Sequence, residues 1–475
     1  MRFLLFTTVA VLLVHSANGQ AQTCTCENNF EWVKNTFEEN DAGFQHTINK
    51  KGQAAYDIHN QLMVEKVKSA KTTMECIELL HEWLHFFRSG HITIEPSQNV
   101  LQTIPKADMY EVNIPEFEQR ISTKQVIDYE GIWEFEDDKI GIQKNGANYI
   151  GFIIKPDAEV RRQIKLKIEQ KNGKWQTTFF WPNHKPTVSG RSELIGKNHL
   201  QIGGLILKRV HPFFGENDLS VENYLKSFDP PSPYLEELSS TTLYLRLPSF
   251  EPDQKAAIDS VLTVNKDKIL KTENLIIDIR NGTGGSDDTY AELLPFLYTN
   301  PIRTVGIEFL STALNNQRFM DFATNPEYQD FFDEETRQLF KTYYDTMQSK
   351  LGEFVNLFGE DVYITQYDTI YEYPKNVGVI INQRNVSADE QLLLMAKQSK
   401  KVKLFGATTF GALDISNMYS VDSPCEEFKL WYCLSRSLRI PDMPIDGIGL
   451  QPDYYLDKTI PQHKWVEFVN EMLNK

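Results

Sequence analysis

A serine lies where a buried strand gives way to a helix. The apolar run 377–381 predicts the strand, the run 391–397 predicts the helix, and Ser387 falls between them. A hydroxyl here would have free backbone amides and the positive end of a helix dipole behind it, which stabilise developing negative charge. The same position suits an ordinary helix N-cap, so the residue types alone leave catalysis and capping open.

A glycine-rich turn follows another buried strand. The apolar run 274–279 leads into Arg280-Asn-Gly-Thr-Gly-Gly285, whose amides can approach another molecule closely because glycine has no side chain. The turn is neither GxGxxG nor a phosphate loop ending in GK[ST], which argues against nucleotide binding. The turn therefore predicts close backbone approach without naming a ligand.

A third pattern could bind zinc. His81-Glu-Trp-Leu-His85 is a literal HExxH, and His91 stands where the longer motif has a third ligand. On a helix the first two histidines would share a face, with Glu82 activating water. Arg88 occupies the position that needs glycine, and the apolar residues around the motif already form a core face. A zinc metallopeptidase using His81, Glu82 and His85 is kept as an alternative.

Three units are expected to position these residues. Residues 20–104 carry apolar residues at spacings of three and four, which predicts an N-terminal helical domain. Residues 105–235 hold alternating, β-branched and aromatic segments, which predict a β-rich barrel or sandwich. Residues 236–475 alternate strand and helix, which predicts an α/β domain with a helical insertion near 312–372.

The first residues are typical of export. Arg2, an apolar run at 3–14 and small residues up to Gly19 predict a signal peptide at 1–19 and a periplasmic or secreted protein after cleavage. The run is shorter than the ~20 residues that span a bilayer, so no membrane span is expected. A net charge of −16 argues against nucleic acid as a partner.

An exported protein can form disulfides. The chain has five cysteines, and the candidate bridges are Cys425 with Cys433 and Cys76 with Cys24 or Cys26. An odd count leaves one thiol over.

Five segments of the third unit, in order, carry a family resemblance. They are YLRLPSF at 244–250, LIIDIRNGTGG at 275–285, VSADE at 386–390, GATTFG at 406–411 and DGIGLQPD at 446–453. Together they resemble the catalytic domain of the tail-specific, or C-terminal processing, serine peptidases, whose relatives include the tricorn core. The resemblance covers nearly half of the chain and implies a crotonase-like (ClpP-like) α/β fold and hydrolysis of peptide bonds, with no cofactor and no metal.

The resemblance assigns a nucleophile and an oxyanion hole. The serine of the family falls on Ser387. Its oxyanion hole falls on the 282–285 turn, at Gly284 or Gly285, together with the amide of Ala388. The resemblance thus implies an acyl-enzyme on Ser387.

The base departs from one branch of the family. Many members carry a lysine just after the TFG motif, where this chain has Ala412. The tricorn-like branch uses a histidine from the preceding helical domain, which falls on His91, and an acid, which falls on Asp446 with Asp442 as the substitute. The implied triad is Ser387, His91 and Asp446.

A non-enzymatic alternative remains open. A family member that has lost activity would bind a peptide or a small ligand, and the missing lysine motivates that hypothesis. The expected partner is a peptide or protein substrate, and a homo-oligomer is open because related peptidases often assemble.

Overall fold

The computed structural model describes residues 24–104, 108–154, 162–171, 173–181, 186–190, 192–328 and 332–475. The predicted signal peptide lies outside these ranges. Within them, no helix is long and apolar enough to cross a membrane.

The N-terminal region is helical. Its elements are α1 (Cys26–Asn40), α2 (Phe44–Lys51), α3 (Gln53–Val67), α4 (Thr73–Leu84), β1 (Thr93–Pro96) and α5 (Gln98–Leu101). The hydroxyls of Thr25 and Thr72 accept backbone amides at the starts of α1 and α4, as N-caps do. The apolar faces of these helices bury Phe37, Leu80 and Trp83 in one cluster, which holds the helices together.

The middle region is a nearly closed antiparallel sheet. It comprises α6 (Ile114–Ser122), β2 (Gly131–Phe135), β3 (Asp138–Asn145), β4 (Asn148–Ile153), β5 (Ile164–Lys171), β6 (Lys174–Phe180), β7 (Pro186–Ser189), β8 (Ser192–Ile195), β9 (His199–Ile202), β10 (Leu205–His211) and then α7 (Leu219–Phe228).

The strand order β7-β6-β5-β4-β3-β2-β10-β9-β8 makes the middle sheet barrel-like. A hydrogen bond between the hydroxyls of Thr177 on β6 and Ser192 on β8 links the strand next to one end of the sheet with the strand at its other end. Apolar side chains, among them Trp133 and Phe179, fill the interior.

The C-terminal region alternates strand and helix. Its elements are β11 (Tyr234–Ser239), β12 (Thr242–Arg246), α8 (Lys255–Ile269), β13 (Asn274–Asp278), α9 (Leu294–Leu297), β14 (Ile302–Val305), β15 (Ile307–Leu310), α10 (Ala313–Thr324), α11 (Glu334–Gln348), β16 (Phe354–Val355), β17 (Val362–Thr365), β18 (Asn376–Ile381), α12 (Ala388–Ala396), β19 (Val402–Gly406), β20 (Ile415–Asp422), β21 (Phe428–Ser437), β22 (Tyr454–Tyr455) and α13 (Trp465–Leu473).

Its central sheet has the order β11-β12-β13-β18-β19-β22 and is parallel from β12 onward. Successive residues of β13 face opposite clusters, with Ile277 in one and Ile276 in the other, so the middle of the strand is apolar on both faces. Asp278 at the end of β13 is in register with Ile380 near the end of β18. The chain segments that leave these two strands therefore start side by side.

A second sheet joins the helical and the α/β regions. β1 pairs with β21, with Ile94 opposite Leu430, and β21 also pairs with β15 and β20. The helical cluster accordingly includes Leu430 and Tyr432 of β21. Because β1 begins two residues after His91, this pairing places that histidine against the α/β region.

Two disulfides tie the N-terminal segment down. Cys26 pairs with Cys76, which confirms that Cys76 bonds to one of the first two cysteines. Cys24 pairs with Cys425 and Cys433 is a buried free thiol, so the predicted bridge between Cys425 and Cys433 is wrong. Cys425 lies in the β20–β21 turn, whereas Cys433 lies well along β21 opposite Met418.

Candidate active site

Ser387 occupies a sharp turn between β18 and α12. Its backbone has φ 59° and ψ −121°, a region that residues with a Cβ seldom adopt and that typically costs about 1–3 kcal/mol. Its side chain makes no cap hydrogen bond to the helix. Ser387 therefore does not act as an ordinary N-cap, and within the described part of the chain its hydroxyl is available for other chemistry.

The glycine turn lies directly against this serine. A Cβ on Gly284, where φ is +82°, would lie 2.8 Å from the Cβ of Ser387 and 3.3 Å from the amide nitrogen of Ala388. On the far side, the carbonyl of Gly284 accepts a hydrogen bond from the amide of Phe250, and a Cβ on Gly285 would clash with the Phe250 carbonyl at 2.1 Å. Only glycine fits between the two segments.

Two amides at this junction have no acceptor. Neither the amide of Gly285 nor that of Ala388 donates to another group in the described part of the chain. The amide of Gly284 instead faces the carboxylate of Asp389. The amides of Gly285 and Ala388 are thus available as hydrogen-bond donors. The amide of Gly284, the alternative donor, already bonds to Asp389.

Asp389 ties the glycine turn to the serine turn. Its carboxylate accepts hydrogen bonds from the side chain of Asn385 at 3.0 Å and the amide of Val386 at 3.2 Å. Burial raises the pKa of Asp389 to about 7, against the lowering effect of these donors and of the Gly284 amide. The Asp389 carboxyl thereby bonds to both the glycine turn and the serine turn.

Glu390 links the serine turn to the 409–412 turn and, through Thr409, to Leu450. Its buried carboxylate accepts the Thr409 hydroxyl, the amide of Gly411 at 2.8 Å and the amide of Ala412 at 2.9 Å. The Thr409 hydroxyl in turn accepts the amide of Leu450 at 2.7 Å. Burial raises the pKa of Glu390, and these donors lower it.

The five sequence segments that carried the resemblance therefore converge on one place. Phe250 of the first contacts Gly285 of the second, and Glu390 of the third bonds Thr409 of the fourth, which bonds Leu450 of the fifth.

His91 reaches the site from the helical region. Its neighbour Gly90 packs against Ala412, where an added Cβ would lie 2.7 Å from the Ala412 methyl, and the Ala412 carbonyl accepts the amide of Ser387 at 3.0 Å. The Nδ1 atom of His91 lies 2.7 Å from the carbonyl oxygen of Ile415. Because a carbonyl only accepts, Nδ1 carries the proton and Nε2 keeps a lone pair.

Burial lowers the pKa of His91 and so favours the neutral imidazole. The Ile415 carbonyl and the charge of Asp446 raise that pKa, and the charge of Arg88 lowers it. A neutral imidazole with a free Nε2 is the form that can accept a proton from a hydroxyl.

Asp446 supports the loop that holds His91. Its carboxylate accepts the amides of Leu413 at 2.6 Å, Asp414 at 2.7 Å and Ile415 at 3.2 Å. In the described part of the chain the hydrogen-bond partner of the His91 ring is the Ile415 carbonyl, and Asp446 acts on the ring through its charge. Its place in a triad stays a prediction, and Asp442 is exposed.

The HExxH pair lies on α4 and the residue after it. The rings of His81 and His85 meet edge to face at 4.4 Å, and Glu82 forms an ion pair with Lys66. Among the described residues, no group of three His, Cys, Asp or Glu side chains is placed to hold a metal ion. His91 is turned instead toward Ile415.

Residues 241–456 match the family model described as peptidase family S41. This part of the chain is an S41 peptidase domain. The predicted family is thereby confirmed, and so is its class, serine peptidase.

Solved structures share the fold of this S41 peptidase. The crystal structure of mature CPAF is 14% identical, with a TM-score of 0.53, and the match covers 94% of this chain and 96% of that chain. Mature CPAF complexed with lactacystin is 13% identical, with a TM-score of 0.52, and covers 94% and 97%. No curated protein matches the sequence. The predicted fold class, an α/β domain with a helical and a β-rich unit, is confirmed.

The candidate residues lie partly inside and partly outside the range that the S41 family model matches. Ser387, the glycine turn and Asp446 lie within the matched range, whereas His91 lies well before it. Sequence reasoning missed the Ile415 carbonyl and the role of Glu390. The acidic pair after Ser387 was a signal for Glu390, but a backbone carbonyl has no sequence signal.

Proposed function

We propose that this chain hydrolyses peptide bonds through an acyl-enzyme on Ser387, as a serine peptidase of the tail-specific type. The observation that carries the proposal is the convergence on Ala412: its carbonyl holds the Ser387 amide, and its methyl seats the residue before His91. The two side chains that resemble a nucleophile and its base are thus anchored to one residue.

The first half of the reaction forms the acyl-enzyme. The Nε2 atom of His91 takes the proton of the Ser387 hydroxyl while its oxygen attacks the carbonyl carbon of the substrate. The carbonyl oxygen becomes negative and accepts hydrogen bonds from the amides of Gly285 and Ala388, each worth roughly 10²–10³ in rate. His91 then gives the proton to the leaving amine, and the carbon–nitrogen bond breaks.

The second half releases the product. Water loses a proton to Nε2 of His91 and attacks the acyl carbon, and the Ser387 oxygen leaves and recovers its proton from His91. Asp446 supports both halves, because its negative charge stabilises the imidazolium and its hydrogen bonds hold Ile415 against the ring.

Cleavage of a peptide library by the wild type and by Ser387→Ala tests this function. We expect the variant to lose all cleavage, while the matched variant Ser349→Ala, at an exposed helix end, keeps it. Cleavage that survives in Ser387→Ala and disappears with a chelator would support the zinc alternative instead. A wild type that binds peptides without cleaving them would support the non-enzymatic alternative.

The tail-specific type has its own test. Peptides that differ only in a free or amidated carboxyl terminus should be cleaved at different rates. Equal rates would contradict the tail-specific type but would remain consistent with a serine peptidase.

We also propose that the chain is exported after removal of residues 1–19. The two disulfides support an oxidising compartment. Amino-terminal sequencing of the mature protein should begin after Gly19, and a mature protein that retains Met1 and stays in the cytosol would contradict export.

A further inference from the structure

A buried ion pair between Asp41 and Arg88 lies next to His91, where the helical region meets the α/β region. Asp41 directly follows α1, and its carboxylate receives both terminal nitrogens of Arg88, Nη1 at 2.7 Å and Nη2 at 2.5 Å. The side chains are 0% and 8% exposed. A bidentate pair buried this deeply fixes the direction of the guanidinium as well as its position.

The same carboxylate also reaches the α/β region. The amide of Cys433 on β21 donates to Asp41 at 3.1 Å, and the Cys433 carbonyl accepts the amide of Ala42 at 2.9 Å. The end of α1 is thereby hydrogen-bonded to the middle of β21. Asp41 therefore contacts both the helical region and the α/β region.

Arg88 connects Asp41 to the backbone of His91. Its Nη2 atom donates to the carbonyl oxygen of His91 at 3.2 Å, and the thiol of Cys433 lies 3.2 Å from the same oxygen. His91 has φ 57°, a conformation that a residue with a Cβ keeps only when its surroundings enforce it. The ion pair supplies that enforcement at the backbone, and Ile415 holds the ring.

The surrounding chain is shaped around the guanidinium. A Cβ on Gly43 would lie 2.9 Å from Nη1 of Arg88, so a side chain there would displace it. The guanidinium also lies 5.7 Å from the centre of the Phe37 ring. Arg88 stands where the long zinc motif would have glycine. Here its guanidinium contacts the backbone carbonyl of His91.

We propose that the Asp41–Arg88 ion pair positions His91 toward Ser387 across the junction of the helical and α/β regions. This role rests on the proposed function, since it takes His91 as the base. Neither residue of the pair touches the reacting atoms, so both are positioning residues.

Several charged or titratable groups surround His91. Arg88 precedes it on its own segment, Asp41 follows α1, and Cys433 lies on β21. Asp446 acts on the ring through its charge. Asp414 precedes Ile415, whose carbonyl contacts the ring, and Glu390 interacts electrostatically with Asp446. Arg88 lowers the pKa of His91 and Asp446 raises it, whereas burial raises the pKa of Cys433 to about 12, so its thiol stays neutral.

Two variants that break the same ion pair should therefore act in opposite directions on the pH profile. Arg88→Met removes a positive charge and leaves Asp41 unpaired, which raises the pKa of His91 and moves the acid limb of kcat/KM to higher pH. Asp41→Asn leaves Arg88 without its partner, which lowers that pKa and moves the limb to lower pH. The rate of fluorophosphonate labelling of Ser387 against pH reports the same limb without substrate binding.

The pair's positioning role predicts a loss in kcat at nearly constant KM. A misplaced base typically costs on the order of 10²-fold, and we expect that loss in both single variants at their own optimum pH. The double variant Asp41→Asn/Arg88→Met, which carries no unpaired charge, should fold and return the acid limb near the wild-type position while kcat stays low.

The matched control is Lys165→Met, which breaks the Lys165–Asp138 pair in the barrel-like sheet and should leave the pH profile unchanged. Shifts in the same direction in both single variants, or a double variant with wild-type kcat, would overturn the positioning role. His91→Gln separates this failure from that of the proposed function, because full activity in that variant would show that His91 is not the base.

Discussion

Glu390→Gln should loosen the turn that carries Ala412 without changing the size of the side chain. The wild-type carboxylate accepts three hydrogen bonds, from Thr409, Gly411 and Ala412. A glutamine has one oxygen acceptor, and its NH₂ group would oppose one of the two backbone amides. The variant therefore loses at least one hydrogen bond to a charged group and leaves a buried donor unpaired.

The expected magnitude follows from these losses. A hydrogen bond to a charged group contributes roughly 1.5–3 kcal/mol, and an unpaired buried donor costs about 1–3 kcal/mol. Because these costs overlap, we expect a local loss of about 2–4 kcal/mol at the 409–412 turn. At about 1.4 kcal/mol per tenfold change, protection of the Gly411 and Ala412 amides should fall roughly 30- to 700-fold.

Hydrogen exchange measured by mass spectrometry on peptides covering 409–412 is the assay. The control is Glu273→Gln, which breaks an exposed ion pair with Lys375 in the same region and should leave exchange at 409–412 unchanged, because exposed ion pairs contribute little to stability. Exchange at 409–412 that is no faster in Glu390→Gln than in the control would refute this account of the turn.

Gly284→Ala would put a methyl group 2.8 Å from the Cβ of Ser387, so fluorophosphonate labelling should fall roughly 10²-fold or more, as measured by gel fluorescence. Asp389→Asn removes a carboxyl whose pKa burial raises to about 7. The stability from that raised pKa is present below the unfolded pKa of about 4 and is lost as pH rises to about 7, so the variant should gain melting temperature relative to the wild type over that range. The double variant Cys26→Ser/Cys76→Ser opens a bridge across 50 residues and should lose about 4 kcal/mol, seen as a lower melting temperature.

Each of these outcomes has a contrary result. Gly146→Ala, at an open turn with φ +63°, controls for backbone strain, and equal labelling loss there would deny Gly284 a special place. A difference in melting temperature between Asp389→Asn and the wild type that does not vary with pH would contradict the raised pKa. An unchanged melting temperature without the Cys26–Cys76 bridge would remove its structural role.

The sequence predicts the α/β strands and turns around the candidate site because local patterns determine them. The apolar run of β13 can only be buried on both faces, and a serine between β18 and α12 must lie at the edge where such strands end. Glycine at 284 and 285 reports a close approach that any side chain would block. These features follow from neighbouring residues along the chain.

The connection to His91 could not be derived in the same way. It depends on β1 pairing with β21 and on Cys24 bonding to Cys425, contacts between residues more than 300 positions apart. The ring partner is a backbone carbonyl, that of Ile415, which any residue type would supply. The wrong Cys425–Cys433 bridge has the same origin, since the distance between the two residues is set by strand register.

Labelling by a fluorophosphonate probe is the most direct test of Ser387 as the nucleophile and His91 as its base. We expect the wild type to be labelled at Ser387, as identified by mass spectrometry. Ser387→Ala should not be labelled and His91→Gln should be labelled far more slowly, and chelators should change none of these results. Labelling at another residue, or equal labelling in Ser387→Ala, would contradict this assignment.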